Sequence, residues 1–180
     1  MEIFKDFKKE GEVSEELIEK YEDRLPEQLI EVWKNYGFGS FLNGFLKIIN
    51  PDDFQDILNE SYFRSDVSIP VFSTAMADLI TWEEGNYLSL VKYRRGDFKI
   101  FLSKFKFFFP NLKDKEFCDE VLDWEQYLEA IKNKEIPKYE ECYGYTPILG
   151  LGGSEKIENL ETVKLKEHIM LINELMGRIE

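Results

Sequence analysis

Apolar residues in the first part of the chain recur at helical spacing, and their flanks are typical of helix ends. Ser14, followed by two acids, predicts a helix over 14–24, because a serine hydroxyl caps free N–H groups and acids suit the positive end of the helix dipole. A second helix is predicted from Pro26, which suits a first helical turn, to Gly37, a common terminator. Its apolar stripe is Leu29, Ile30, Trp33 and Tyr36.

A strand and a third helix are predicted next. The run 45–49 is apolar and β-rich, and Asn-Pro-Asp-Asp at 50–53 combines a cap, a first-turn proline and two acids. The buried side of this third helix is expected to be Phe54, Ile57 and Leu58. Because these elements follow each other closely, we expect one buried cluster to hold four residues of the region: Trp33, Phe45, Ile49 and Phe54.

The middle of the chain alternates short β-rich runs with turn signals at 84–86 (Glu-Gly-Asn) and 94–97 (Arg-Arg-Gly-Asp). This alternation predicts an antiparallel meander. Its strands are expected at 69–73, 78–83, 87–93 and 98–103. Three consecutive phenylalanines at 107–109 close the region and predict burial on both faces or a join between layers.

Helical spacing returns after residue 110. Residues 114–134 are predicted to be helical up to Pro137, and 139–153 is glycine-rich and predicted to be irregular. The last predicted helix spans 166–176 and ends before Gly177. Its buried side is expected to hold Leu165, Ile169, Ile172 and Met176.

The pattern as a whole predicts a single compact α+β unit, a mostly antiparallel sheet with N- and C-terminal helices packed on it. Two domains, 1–110 and 111–180, are expected to form one globule, since no repeat or Pro/Ser-rich linker separates them. The chain is 43% hydrophobic and 15% aromatic, enough for a sizeable core. We expect most aromatic residues inside and some on a binding surface.

Charge narrows the choice of partner. The formal net charge is −13, and it is concentrated in residues 1–60 (net −8) and 111–180 (net −7), whereas residues 61–110 are net +2. Such a balance argues against direct nucleic-acid binding and against anionic membrane surfaces. It suits a basic protein partner, although acidity can also serve solubility alone.

The chain is expected to stay in the cytoplasm. Its N-terminus has no apolar run of signal-peptide length, and no stretch of 18 uncharged apolar residues is present. Cys118 and Cys142 form no CxxC pair and are expected to be free thiols.

Candidate chemical groups are sparse. His168 is the single histidine, and neither cysteine has metal-ligand spacing to it, so we expect no metal and no cofactor. Cys142 with His168 gives only a weak indication of a thiol nucleophile. The segment LGLGGSE at 149–155 lacks both nucleotide-loop patterns, and we expect a turn with positive φ at Gly152 or Gly153.

The remaining candidate groups are three pairs of adjacent acids and one basic hairpin tip at 94–97, which we call the basic tip. Acidic pairs stand at 52–53, 83–84 and 140–141, where they could serve hydrolysis, bind a hard cation or simply be solvated. The basic tip at 94–97 could pair with an acidic partner or with the chain's own acids.

Residues 21–62 resemble the GAD-like domain of bacterial proteins. The resemblance rests on Leu25-Pro26, Trp33, Tyr36-Gly37-Phe38-Gly39, Phe45 and Asn50-Pro51. Residues 139–175 resemble the C-terminal domain of immunity proteins of type VI secretion DNase effectors. The matching positions there are Glu141, Tyr143-Gly144-Tyr145, Pro147, Leu149, Leu151-Gly152-Gly153 and Asn159-Leu160. Gly150 departs from the alanine that this family often has.

The two domains occur in this order in immunity proteins, so the resemblance implies a protein that binds and neutralises a cognate toxin without being an enzyme. Acidity then suggests a basic nuclease toxin as partner, with the oligomeric state left open. The candidate binding residues are Asp52, Asp53, Asp56, Glu140 and Glu141. An alternative is a small-molecule or peptide-sensing module with an aromatic-lined pocket, and a third hypothesis is a hydrolase with a carboxylate pair.

Overall fold

The computed structural model describes residues 2–180. Its helices are α1 (Glu15–Tyr21), α2 (Glu27–Tyr36), α3 (Gln55–Ser61), α4 (Phe108–Asn111), α5 (Lys115–Leu122), α6 (Trp124–Ala130) and α7 (Leu165–Met176). Its strands are β1 (Lys8–Gly11), β2 (Phe38–Phe41), β3 (Leu46–Ile48), β4 (Ser68–Thr74), β5 (Asp78–Glu83), β6 (Tyr87–Lys92), β7 (Asp97–Ser103), β8 (Glu141–Tyr145) and β9 (Leu160–Lys164).

Strands β1 to β7 form one antiparallel sheet in which spatial order equals sequence order. The predicted meander and the α+β class are therefore confirmed. Strands β8 and β9 form a separate antiparallel pair. The prediction that 139–153 is irregular was wrong for β8, where four of the five residues are buried, Gly144 among them.

Helices cover both faces of the sheet. Along β5 and β6 the side chains alternate, so Ile80 and Leu90 join a first core cluster and Leu79 and Val91 join a second one. The first cluster contains the buried residues of α1, α2, α4, α5 and α6. The second contains those of α3 and α7. The β8 strand contributes to both, since Tyr143 belongs to the first cluster and Cys142 to the second.

The predicted single cluster in the N-terminal region is in fact divided between these two. Trp33 and Phe45 are buried in the first cluster, whereas Ile49 and Phe54 are buried in the second. The division follows from the alternation of side chains at the end of β3, where Ile48 faces the first cluster and Ile49 the second. The chain thus passes from one layer to the other at this point.

Most predicted helix ends are confirmed. The Ser14 hydroxyl accepts a hydrogen bond from the Leu17 N–H at 3.2 Å. The Asn50 side chain caps as expected, but residues 51–53 form a single 3-10 turn before α3 begins. The predicted helix over 114–134 is divided into α5 and α6 at Asp123, whose φ of 55° is left-handed. Gly152 has the expected positive φ of 91°.

Two residues expected inside are exposed. Phe107 is 46% exposed, because the short helical turns around it direct Phe105, Phe108 and Phe109 to the core instead. Met176 is 45% exposed, because it lies in the last turn of α7, beyond the part that contacts the second cluster.

The basic tip at 94–97 pairs with the chain's own acids. Arg94 is buried, lies 2.5 Å from Asp78 and also forms an ion pair with Asp123. Lys92 reaches the same Asp123 carboxylate at 2.8 Å, and Arg95 contacts Glu155 at 2.6 Å. These ion pairs join the β6–β7 connection to the α5–α6 junction and to the C-terminal region.

Trp33 gives a test of the first cluster. It is 1% exposed, and its indole nitrogen has no hydrogen-bond partner among the described residues. Trp33→Ala should therefore lower the free energy of unfolding by roughly 3–5 kcal/mol through lost burial and a cavity. Trp33→Phe, which keeps most of the volume and loses no hydrogen bond, should cost much less. Urea denaturation followed by circular dichroism measures both, and an unchanged midpoint for Trp33→Ala would refute this placement.

Candidate partner-binding surface

The C-terminal region is attached to β3 by hydrogen bonds to backbone carbonyls. The buried Lys47 ammonium donates to the Lys138 carbonyl at 2.8 Å and to the Glu141 carbonyl. The Tyr139 hydroxyl donates to the Ile48 carbonyl at 2.7 Å. This attachment fixes segment 138–141 beside the 3-10 turn that contains Asp53.

A groove runs along this join, and we call it the seam groove. It consists of two adjoining cavities of about 260 and 490 Å³ that share Asp53, Tyr139, Glu140 and Lys164. The remaining charged lining residues are Glu10, Glu141, Glu167, Lys138 and Lys166. Five carboxylates therefore face three ammonium groups across the groove, which makes it acidic on balance.

Three of the five predicted binding residues meet in this groove. Asp53 and Glu140 are exposed in both cavities, and Glu141 lines the second, where its carboxylate also accepts a hydrogen bond from the Lys138 N–H at 3.0 Å. The 111–180 part of the chain thus brings its acids next to those of the first 60 residues. The tertiary structure makes this juxtaposition, since the two acidic pairs are 87 positions apart in sequence.

Asp52 is directed away from the groove, toward α1. Its carboxylate accepts hydrogen bonds from the Lys20 ammonium at 2.7 Å and from the Tyr21 hydroxyl at 2.6 Å. Burial alone would raise the pKa of Asp52, but these two hydrogen bonds outweigh it and lower the pKa. Asp52 is therefore part of the contact between the third-helix region and α1, whereas Asp53 is free to face a partner.

Asp56 lies on a different part of the surface. It is exposed in the first turn of α3, one helical turn before Glu60, and the two share one face of the helix. Glu60 lines a shallow groove between α3 and α7 together with Glu167 and Glu174. Asp56 itself lines neither cavity of the seam groove.

Sequence reasoning missed the most acidic stretch of the chain, residues 10–31. It contains nine carboxylates against two basic side chains, and all nine carboxylates belong to exposed residues. They are Glu10, Glu12, Glu15, Glu16, Glu19, Glu22, Asp23, Glu27 and Glu31. Counting charge in windows of about 20 residues would have found it. Glu10 of this stretch lines the seam groove, and Lys20 holds Asp52, the neighbour of Asp53. We call the nine carboxylates and the acids of the groove together the acidic surface.

The cysteine and histidine considered for catalysis, Cys142 and His168, are both buried. Burial raises the pKa of the Cys142 thiol to about 12, so the thiol is protonated at neutral pH, and burial lowers the pKa of His168. The His168 ring lies against Gly144, where an added Cβ would approach it to 2.5 Å. Gly144 is therefore needed to admit this ring. Within residues 2–180, no three His, Cys, Asp or Glu side chains are grouped to hold a metal ion.

The fold and the groove define an α+β protein in which a seven-stranded meander carries a C-terminal hairpin and helix, with an acidic surface at their join. Residues 1–92 match the model of the GAD-like domain, so the chain belongs to the GAD-like domain family. Residues 102–176 match the model described as T6SS immunity protein Tdi1, C-terminal. Both regions occur in the order that the resemblance implied. The division at residue 110 stays a prediction.

Among solved structures, the chain is similar to one titled "Crystal structure of Atu4351 from Agrobacterium tumefaciens". The two are 15% identical, with a TM-score of 0.74, and the match covers 94% of this chain and 86% of that one. At this identity the similarity shows a shared fold and nothing more. No curated protein matches the sequence. In the part of the chain that is described, no helix is long and apolar enough to cross a membrane.

Lys47 makes the attachment of the C-terminal region testable by pH. Burial lowers its pKa from 10.5 to about 8, so the unfolded chain binds more protons than the folded chain between these two values. Lys47 by itself should therefore contribute a rise in the free energy of unfolding between pH 8 and 10.5, on the order of 3 kcal/mol. Below pH 8 the cost of burying the charge is fully present.

The measurement compares urea denaturation at pH 7.5 and pH 10 for three proteins. Burial also raises the pKa of Cys118 and Cys142, which lowers stability over the same range in all three proteins, so the contribution of Lys47 is the difference between them. From pH 7.5 to pH 10, the free energy of unfolding of Lys47→Met should fall by about 2–3 kcal/mol relative to the wild type, whereas Lys138→Met, which changes an exposed lysine of the same region, should follow the wild type. If Lys47→Met also follows the wild type, the buried ammonium does not have the lowered pKa.

Proposed function

We propose that this protein is an immunity protein that binds a cognate bacterial toxin directly and neutralises it. The observation that carries the proposal is the match of residues 102–176 to the C-terminal region of a type VI secretion immunity protein, preceded by a GAD-like domain in the same chain. The seam groove lies where these two regions join, so both would contribute to the binding surface.

The acidic surface suggests what kind of toxin is bound. A nuclease must carry basic residues to hold phosphate, and a surface of carboxylates can occupy the same basic site. The surface combines the nine exposed acids of residues 10–31 with Asp53, Glu140 and Glu141. The proposed partner is thus a basic nuclease domain, and the same charge disfavours direct binding of nucleic acid by the immunity protein itself. Neutralisation would take place in the cytoplasm, where the nucleic acid is.

Inhibition of this kind requires no catalytic group. Coverage of the toxin's active site, or of its route to nucleic acid, is sufficient, and affinity comes from complementary shape and charge. Burial of Cys142 and His168, and the pairing of Arg94 within the protein, agree with a scaffold role for these groups. We therefore propose that the protein is not an enzyme.

Salt dependence tests the charge part of the proposal. The partner is the toxin domain encoded beside this gene, purified with its catalytic residue replaced, and association is followed by stopped-flow or surface plasmon resonance at 50 and 300 mM salt. Association of the wild type should slow steeply with salt, because exposed charges are screened beyond about 8–10 Å at physiological ionic strength. Asp53→Lys with Glu140→Lys should slow association by about tenfold at low salt and leave dissociation nearly unchanged.

The control is Asp66→Lys with Asp97→Lys, which makes the same change in net charge at exposed positions outside the acidic surface. It should slow association much less. Cells that express the active toxin domain should survive only with this protein. Death of cells that express both the toxin domain and this protein would refute the immunity function. Tight binding whose association rate does not change with salt would refute only the electrostatic mechanism.

A further inference from the structure

Helix α7 is apolar on two sides. Its inner side, with Leu165, Ile169 and Ile172, is buried in the second core cluster. Its outer side carries a second apolar row at helical spacing, Met170, Leu171 and Leu175, and these are 49%, 45% and 47% exposed. A helix with apolar residues around most of its circumference is typical of one that is covered on both sides. We call the outer row the α7 stripe.

Two residues of the α7 stripe, Met170 and Leu171, lie in acidic surroundings. The shallow groove between α3 and α7 is lined by Met170 and Leu171 together with Glu60, Glu167 and Glu174, and its only other lining residue is Asn173. No basic side chain lines it within residues 2–180. An apolar centre with a charged rim is the usual arrangement of a protein interface, and methionine is enriched in such centres.

The α7 stripe is also continuous with the acidic surface. Glu167 lines both this shallow groove and the seam groove, so one partner can contact both without crossing a neutral area. The rim makes a second copy of this chain a poor occupant, because two such faces would bring their carboxylates together. A basic domain would instead pair its cations with the rim and place an apolar group on Met170 and Leu171.

We propose that the α7 stripe is the apolar anchor for the basic toxin domain, and that its burial sets how long the complex lasts. This inference rests on the proposed function and deepens it. The carboxylates of the acidic surface would govern the rate of encounter, whereas the stripe would govern dissociation, because desolvated apolar contacts near the centre of an interface carry most of the binding energy.

The experiment uses the full-length chain and the same inactivated toxin domain, with dissociation measured at 300 mM salt. Leu171→Glu should speed dissociation by about 30-fold or more, because it places a carboxylate in a desolvated contact. Leu171→Ala should have a smaller effect in the same direction. The matched control is Ile100→Glu, since Ile100 is also 45% exposed but lies on β7, outside the α7 stripe.

Circular dichroism and thermal unfolding establish that each variant is folded, which the exposure of Leu171 leads us to expect. If the wild type binds the toxin domain and a folded Leu171→Glu variant dissociates at the wild-type rate, this inference is overturned and the proposed function stays intact. Absence of wild-type binding would overturn both. Sedimentation that shows a wild-type dimer, converted to monomer by Leu171→Glu, would assign the stripe to a second copy and also overturn the inference.

Discussion

The structure depends on the charged contacts of a single buried guanidinium, that of Arg94. Removing an arginine from water costs several kcal/mol, and the cost is recovered only when carboxylates are placed against it with good geometry. Asp78 at the start of β5 and Asp123 between α5 and α6 supply them, and Asp123 must take a left-handed backbone conformation to connect the two helices. The position of α5 and α6 relative to the meander is therefore fixed by charge as well as by apolar packing. A shift of either helix would remove Asp123 and leave the buried guanidinium with Asp78 as its one carboxylate partner.

A second buried cation, Lys47, fixes the position of the C-terminal hairpin, as Arg94 fixes the position of α5 and α6. It has backbone carbonyls as hydrogen-bond partners, so it holds the path of the segment before β8 without specifying its side chains. This explains how residues 138–141 can lie beside Asp53 while Glu140 stays exposed to solvent. The acidic surface is thus a consequence of the attachment, because the two acidic ends of the chain meet only when the hairpin is held against β3.

Local signals in the sequence predicted the helices and strands well. Contacts between residues far apart in the sequence were harder to predict. Ser14, Asn50 and Gly37 act through neighbouring backbone groups, so their roles could be inferred from the sequence around them. The meander followed from turns between β-rich runs. The two-layer arrangement could not be predicted in the same way, because periodicity shows that Ile49 is buried but not on which face of the sheet. Among the proposed binding residues, Asp52 differs from Asp53 only through its contact with Lys20 and Tyr21, which lie 31 to 32 positions away.

The wrong prediction that Met176 is buried also comes from relying on periodicity, and it bears on the role of α7. Helical periodicity assigns an apolar residue to the core whenever it continues an apolar row. Helix α7, however, has two apolar rows, and only one of them packs in the second core cluster. The residues of the outer row are about half exposed, so they bury less apolar surface in the free protein than they would beneath a partner. The partner proposed for the α7 stripe would account for an apolar outer row next to a carboxylate rim, and it would approach across the join between the GAD-like domain and the C-terminal region. The two regions would then act as one binding surface, in which neither the acids nor the stripe is sufficient alone.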